Sequence, residues 1–314
     1  MADRIALLCS GQAGQHAGMF DLARSDPHVA QLLQSWPLEE VCGRPLQEML
    51  ADESGLFDNL VAQPLVIAAA LSTWEAIRHS LPPPALVAGY SIGELASWSV
   101  AGALAPEQTI RLAATRARLL QACVMPDRPQ TMLAISFAQA RMPLADLAPL
   151  LQSHGFHTAI EVDADSIIAG GLLDQADALE AVVVSGGGKV TRLPIQIASH
   201  TPWMHEAVVP FEKAVADSGM HAPACAVLAG ISGARLHDAA AAPAVLARQL
   251  AEPIRWHAVM DGINEAGTTL AIELGPGSAL SRMLKSRHPH IHCRAVAEFR
   301  TLAGVKRWVE QHLD

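Results

Sequence analysis

In the stretch LVAGYSIGELASWSVAGAL, a lone hydroxyl at Ser91 stands between Gly89 and Gly93. The G-x-S-x-G spacing suits a sharp bend from strand to helix, because the glycines let both segments approach closely while the serine takes a strained conformation. A hydroxyl at that bend lies at a helix N-terminus. There the Ile92 N–H and the positive end of the helix can stabilise an oxyanion. The chemistry this predicts is nucleophilic attack on a carbonyl. The same five residues also fit a structural Gly-Ser turn, and the motif alone does not separate the two readings. A serine nucleophile needs a base. Among 14 histidines, His200 stands out because it follows the apolar run LPIQIAS, read as a strand. Functional groups gather at the carboxyl edge of open α/β sheets. The alternative is that His200 caps the helix starting near Thr201 and Pro202.

Arg116 is the second unusual residue. In PEQTIRLAATRARLLQACV, the residues Leu112, Ala113, Leu119, Leu120 and Cys123 recur at helical spacing, and Arg116 lies within their stripe. A guanidinium aimed at a core needs an anion, since an unpaired buried charge costs several kcal/mol, roughly. A substrate carboxylate held by two parallel hydrogen bonds would supply one. Otherwise the stem packs and the head reaches solvent.

Composition narrows the class. With 314 residues, 51% hydrophobic and 17% charged, the chain can bury a large core built mainly from Ala, Leu and Val. A formal net charge of −9 and the lack of basic runs argue against nucleic-acid binding. The five cysteines are widely spaced with no C-x-x-C pair, which is neither a zinc site nor a disulfide framework. No window reaches membrane-spanning length free of charge and glycine, so a reducing cytoplasm without membrane contact is expected. SGGGKV (185–190) lacks the phosphate-loop spacing and reads as a helix-to-strand turn. RHPHIHC (287–293) has alternating histidines, and no metal is expected there.

The elements that must carry these residues alternate. A buried strand at Arg4–Cys9 ends in the turn SGQAGQ. A buried helix follows over 63–81, started by Pro64, then a strand at 85–88 leading into Ser91, and two helices separated near Gly102 to Pro106. From Thr131 the order β-α-β-β-α-β over about sixty residues describes a ferredoxin-like unit. Beyond it, helices at 202–218 and 256–266 alternate with the strands CAVLAGIS and TLAIELGPG. The expected fold is α/β: a large, doubly wound, hydrolase-like parallel-sheet domain (1–126 and 193–314) with a small inserted ferredoxin-like subdomain (127–192).

Several blocks then point to one family. GYSIGELASWSVAGAL resembles the GHSxGE segment of the malonyl-CoA:acyl carrier protein transacylase family, and GQAGQHAGM resembles its GQGxQ segment. TRARLLQ, ASHTPWM, RQLAEPIRW and ELGPGSALSRML are similar to later blocks and stand in the family's order. The resemblance implies a Ser91–His200 pair, with the imidazole held by a backbone carbonyl near Gln249. It implies oxyanion donors from the backbone N–H groups of Gln12 and Ile92, and malonyl carboxylate binding by Arg116. It further implies a coenzyme A thioester as substrate, no tightly bound cofactor, and an acyl carrier protein with a phosphopantetheine-type arm as partner. The chain departs from the pattern in carrying CSGQAG for PGQG, ADADSIIAGG at an asparagine-containing segment, and Tyr90 for the histidine of GHSxGE. Tyrosine there is similar to the epsilon subunit of malonate decarboxylase, a branch that loads that enzyme's own carrier. That branch is the first expectation. A general transacylase of fatty-acid or polyketide synthesis is the alternative, with a serine thioesterase or a non-catalytic docking subunit behind it.

Overall fold

The computed structural model describes residues 4–137 and 144–313. Two sheets organise it. The larger has strand order β11-β10-β1-β2-β7-β8, from β1 (Ile5–Cys9), β2 (Leu86–Gly89), β7 (Ala226–Leu228), β8 (Arg235–Leu236), β10 (Leu270–Leu274) and β11 (His292–Ala295). All neighbours are parallel except β8, which returns antiparallel beside β7. The central strands β1, β2 and β10 are buried along their whole length, which is why they read as continuous apolar runs.

Helices cover both faces. On one lie the helices Asn59–Ile77, Gly93–Val100 and Pro106–Ala122, and on the other Trp256–Glu265 and Ala279–Arg287. The helix expected to start at Pro64 starts at Asn59 instead. Asp58 caps it, its carboxylate accepting from the Leu60 N–H at 2.8 Å, so Pro64 lies inside the helix. Continued to Ser80, this helix is long and apolar enough to cross a membrane, yet 78% of its apolar window is buried inside the protein. It is the central core helix.

The second sheet has the order β6-β3-β5-β4-β9. Its β3 (Gln130–Phe137), β4 (His157–Asp163), β5 (Ser166–Leu172) and β6 (Gly188–Arg192), with helices Leu144–Ser153 and Ala176–Ser185, follow the order β-α-β-β-α-β. The β3, β4, β5 and β6 pairings are antiparallel, as in a ferredoxin-like unit. The short strand β9 (Ile254–Arg255), from beyond the insert, adds in parallel beside β4 and ties the two sheets together.

One expected strand is shorter than the sequence reading. LPIQIAS is not a strand: β6 ends at Arg192, and Leu193 makes one further bond to the Met132 carbonyl. Pro194 has no N–H for a ladder. The Ala198 N–H instead donates to the Gln130 side chain at 2.8 Å. His200 therefore sits on a loop leading back to the large sheet, not at a strand's carboxyl end.

Candidate active site

Three glycines decide the bend at Ser91. A Cβ on Gly89 would meet the Gly93 carbonyl oxygen at 2.1 Å, and one on Gly93 would meet the Cys9 carbonyl oxygen at 2.2 Å. A Cβ on Gly11 would meet the Tyr90 carbonyl oxygen at 2.8 Å, so the turn after β1 also packs closely against the bend. Between these contacts Ser91 holds φ 56, a left-handed conformation unusual for a residue with a Cβ. His200 is similarly strained at φ 62, and its N–H is anchored to the Leu250 carbonyl at 2.7 Å.

These two strained residues meet. Ser91 Oγ lies 2.7 Å from His200 Nε2, and His200 Nδ1 lies 2.5 Å from the Gln249 carbonyl oxygen. A carbonyl only accepts, so Nδ1 carries the proton and Nε2 offers its lone pair to the serine hydroxyl. Burial, and then the positive charge of Arg116, hold the imidazole down to about 3, partly opposed by the Gln249 carbonyl. At neutral pH the ring is therefore uncharged, with Nδ1–H donating to the Gln249 carbonyl and Nε2 free to accept.

Gln12 follows β1 and lines the same cavity as Ser91, and Ile92 follows Ser91 at the start of the next helix. Neither backbone N–H donates to another group of the protein among the described residues. The turn carries a second departure in strain: Ala13 has φ 86 where the family resemblance has glycine. Ser91, His200, Gln12 and Tyr90 line a cavity of about 620 Å³, whose walls include Met132 and Ile168 of the insert. Tyr90 packs edge-on against Trp256, with ring centroids 5.1 Å apart, and burial raises its phenol above the ordinary range.

Arg116 is 2% exposed and is not among the residues that line the cavity. Among the described residues it meets no carboxylate directly. Its Nη1 donates to Gln63 Oε1 at 2.8 Å and its Nη2 to Gln249 Oε1 at 3.3 Å. Gln63 in turn donates to Asn59 Oδ1, and Asn59 to the Ala117 carbonyl. On its other side, Gln249 Nε2 donates to Glu94 Oε2 at 2.5 Å and to the Ser91 carbonyl at 3.2 Å. Burial pushes Glu94 up to about 7 and Arg116 down to about 10. Gln249 thus touches the histidine through its main chain and the arginine through its side chain. Asn59, Gln63 and Glu94 escape the sequence reading, since each sits in an apolar helical run with partners far away in the chain.

The remaining motifs go elsewhere. SGGGKV turns from a helix into β6 through Gly187 at φ 82, although Lys189 reaches the cavity rim. In the 287–293 segment Arg287 pairs with Asp163 and Asp261, and His288 also meets Asp261. No three His, Cys, Asp or Glu side chains are arranged to hold a metal among the described residues.

Residues 6–305 match the family model described as acyl transferase domain. The chain belongs to that family. It is 29% identical to the malonyl CoA-acyl carrier protein transacylase of Mycobacterium bovis over 301 residues, 93% of this chain and 96% of that protein. It is also 29% identical over 293 residues to the polyketide synthase GfsB of Streptomyces halstedii, spanning only 5% of that much longer protein. Among solved structures, the Mycobacterium tuberculosis MCAT superposes with a TM-score of 0.86 at 28% identity, over 96% of this chain and 99% of that one. The transacylase of Coxiella burnetii gives 0.89 at 22% identity over 100% and 99%, a likeness of fold. The family fold is thus a parallel α/β domain carrying an insert, as the sequence pattern predicts.

Proposed function

We propose that this protein transfers a malonyl group from coenzyme A to the phosphopantetheine thiol of an acyl carrier protein. The reading rests on the 2.7 Å contact between Ser91 Oγ and His200 Nε2, whose partner nitrogen is occupied by the Gln249 carbonyl. His200 takes the Ser91 proton as Oγ attacks the thioester carbonyl. The N–H groups of Gln12 and Ile92 receive the oxyanion, and collapse expels coenzyme A as the thiol, protonated from His200. The carrier thiol then gives its proton to His200 and attacks the Ser91 ester; His200 returns that proton to Ser91 Oγ as the carrier leaves with the malonyl group. Arg116 holds the free carboxylate. No third acidic residue is required, because a thiolate leaves with little protonation. In this reading 1–126 and 193–314 form the catalytic unit, and 127–192 closes over the cavity.

The relatives named as acyl carrier protein transacylase and polyketide synthase support a general transacylase, with an acyl carrier protein of fatty-acid or polyketide synthesis as acceptor. Tyr90 is the observation that keeps the malonate decarboxylase carrier as a second reading. Loading Ser91 with malonyl-CoA and presenting each carrier in turn tests both. Transfer to a fatty-acid or polyketide-type carrier supports the first reading, and transfer to the decarboxylase carrier alone supports the second. Rapid release of malonate with no carrier present would make the protein a thioesterase and refute both.

A further inference from the structure

The malonyl reading makes Arg116 a receptor for a carboxylate, and that requires its donors to stay available. A buried guanidinium also needs a nearby negative charge. A carboxylate in direct contact would meet the second need by defeating the first. The molecule avoids this with a spacer. The fully buried Glu94 sends Oε2 to the Gln249 amide N–H and to the Gly230 N–H at 2.9 Å, while the opposite end of the same amide accepts from Arg116. Glu94 Oε1 has no partner among the described residues. Charge therefore faces charge across one neutral side chain.

The direction of that amide is determined. Arg116 can only donate, so it selects Gln249 Oε1, and the Nε2 end must then face an acceptor. The Gln63–Asn59 arm behaves alike, ending on the Ala117 carbonyl, but it carries no charge. Glu94 is the acid whose charge acts on Arg116.

Resting on the malonyl reading, we propose that Glu94 is a specificity-determining positioning residue. It balances the buried charge of Arg116 from one amide away, stabilising the empty site while leaving the N–H groups that Gln63 and Gln249 do not take for the incoming carboxylate. Its negative charge also opposes that carboxylate. Selectivity for malonyl is thus held below what Arg116 alone would give, in exchange for a stable empty site.

The test compares wild type, Glu94→Asp, Glu94→Gln and Arg116→Ala, all as the full chain at pH 8, above the value of about 7 to which burial pushes the Glu94 carboxyl. The readouts are kcat/KM for Ser91 loading by malonyl-CoA and by acetyl-CoA, and the rise in melting temperature with added malonate. Glutamine keeps an acceptor oxygen for Gln249 and Gly230 but removes the charge. The malonyl-to-acetyl ratio should rise about tenfold in Glu94→Gln, through KM for malonyl-CoA, as expected for removing a like charge on the order of 10 Å away, beyond the Gln249 amide, in a medium of intermediate dielectric. Malonate should also raise its melting temperature more than it raises that of wild type. Aspartate retains the charge at shorter reach and should fall between the two, so it gives the sign even if the glutamine variant does not fold. An unchanged or lower ratio in the folded Glu94 variants would overturn the assignment. If Arg116→Ala keeps the wild-type preference, the malonyl reading itself fails, an outcome distinct from failure of the Glu94 proposal alone.

Discussion

Removing the Arg116 side chain should erase the preference for malonyl over acetyl thioesters, and the size of the loss follows from its contacts. A hydrogen bond to a charged group contributes about 1.5–3 kcal/mol, so two parallel bonds to a carboxylate contribute at least about 3 kcal/mol. At 1.4 kcal/mol per tenfold, Arg116→Ala should lower the malonyl-to-acetyl kcat/KM ratio on the order of a hundredfold. The protein itself is also affected. Gln63 Oε1 and Gln249 Oε1 lose their buried donor, each at about 1–3 kcal/mol, so the melting temperature should drop. Arg116→Lys separates the two effects, because it restores a charge without the planar fork and should recover only part of the ratio. Rapid-quench acylation followed by intact-protein mass spectrometry measures loading with each thioester. A folded Arg116→Ala protein with the wild-type ratio would show that the carboxylate goes elsewhere.

Three further outcomes follow from the same geometry. Gly93→Ala would put a Cβ at 2.2 Å from the Cys9 carbonyl oxygen, costing about 3 kcal/mol or more; a wild-type melting temperature would contradict the close approach of β1 and the bend. Ala13→Gly should raise stability by on the order of 1 kcal/mol by relieving φ 86, seen as a higher denaturation midpoint, and an unchanged or lower midpoint would contradict strain there. For His200, the folded imidazole is held near 3 against an ordinary 6.5, so the unfolded chain binds more protons between those values. The corresponding stability is present above pH 6.5 and is lost as pH falls toward 3. Wild type should therefore lose stability more steeply than His200→Asn between pH 6.5 and 4.5, and parallel pH profiles would refute this.

Ser91 was legible because the bend needs glycine on both sides, and that requirement is local. The burial of Arg116 was legible because a charge within an apolar stripe breaks a 3.6-residue pattern. His200 was singled out through a strand that is absent; its position comes from the loop after β6 and its bond to Leu250, a contact fifty residues away. Gln249 pointed to a carbonyl through the family resemblance, while its side-chain bridge between Glu94 and Arg116 spans elements that no local pattern connects. Asn59 was obscured by Pro64, which looks like a helix start until Asp58 is seen capping the helix earlier. The ferredoxin-like insert was readable from its element order. The addition of β9 to its edge was not, because a two-residue strand carries no periodicity.

The most direct test of the central claim is peptide-level mass spectrometry after incubation with malonyl-CoA and no acceptor. A malonyl ester confined to Ser91, absent in Ser91→Ala and discharged by a carrier thiol, is the predicted result. Rapid transfer to a carrier with Ser91 unmodified, or undiminished transfer by Ser91→Ala, would contradict it.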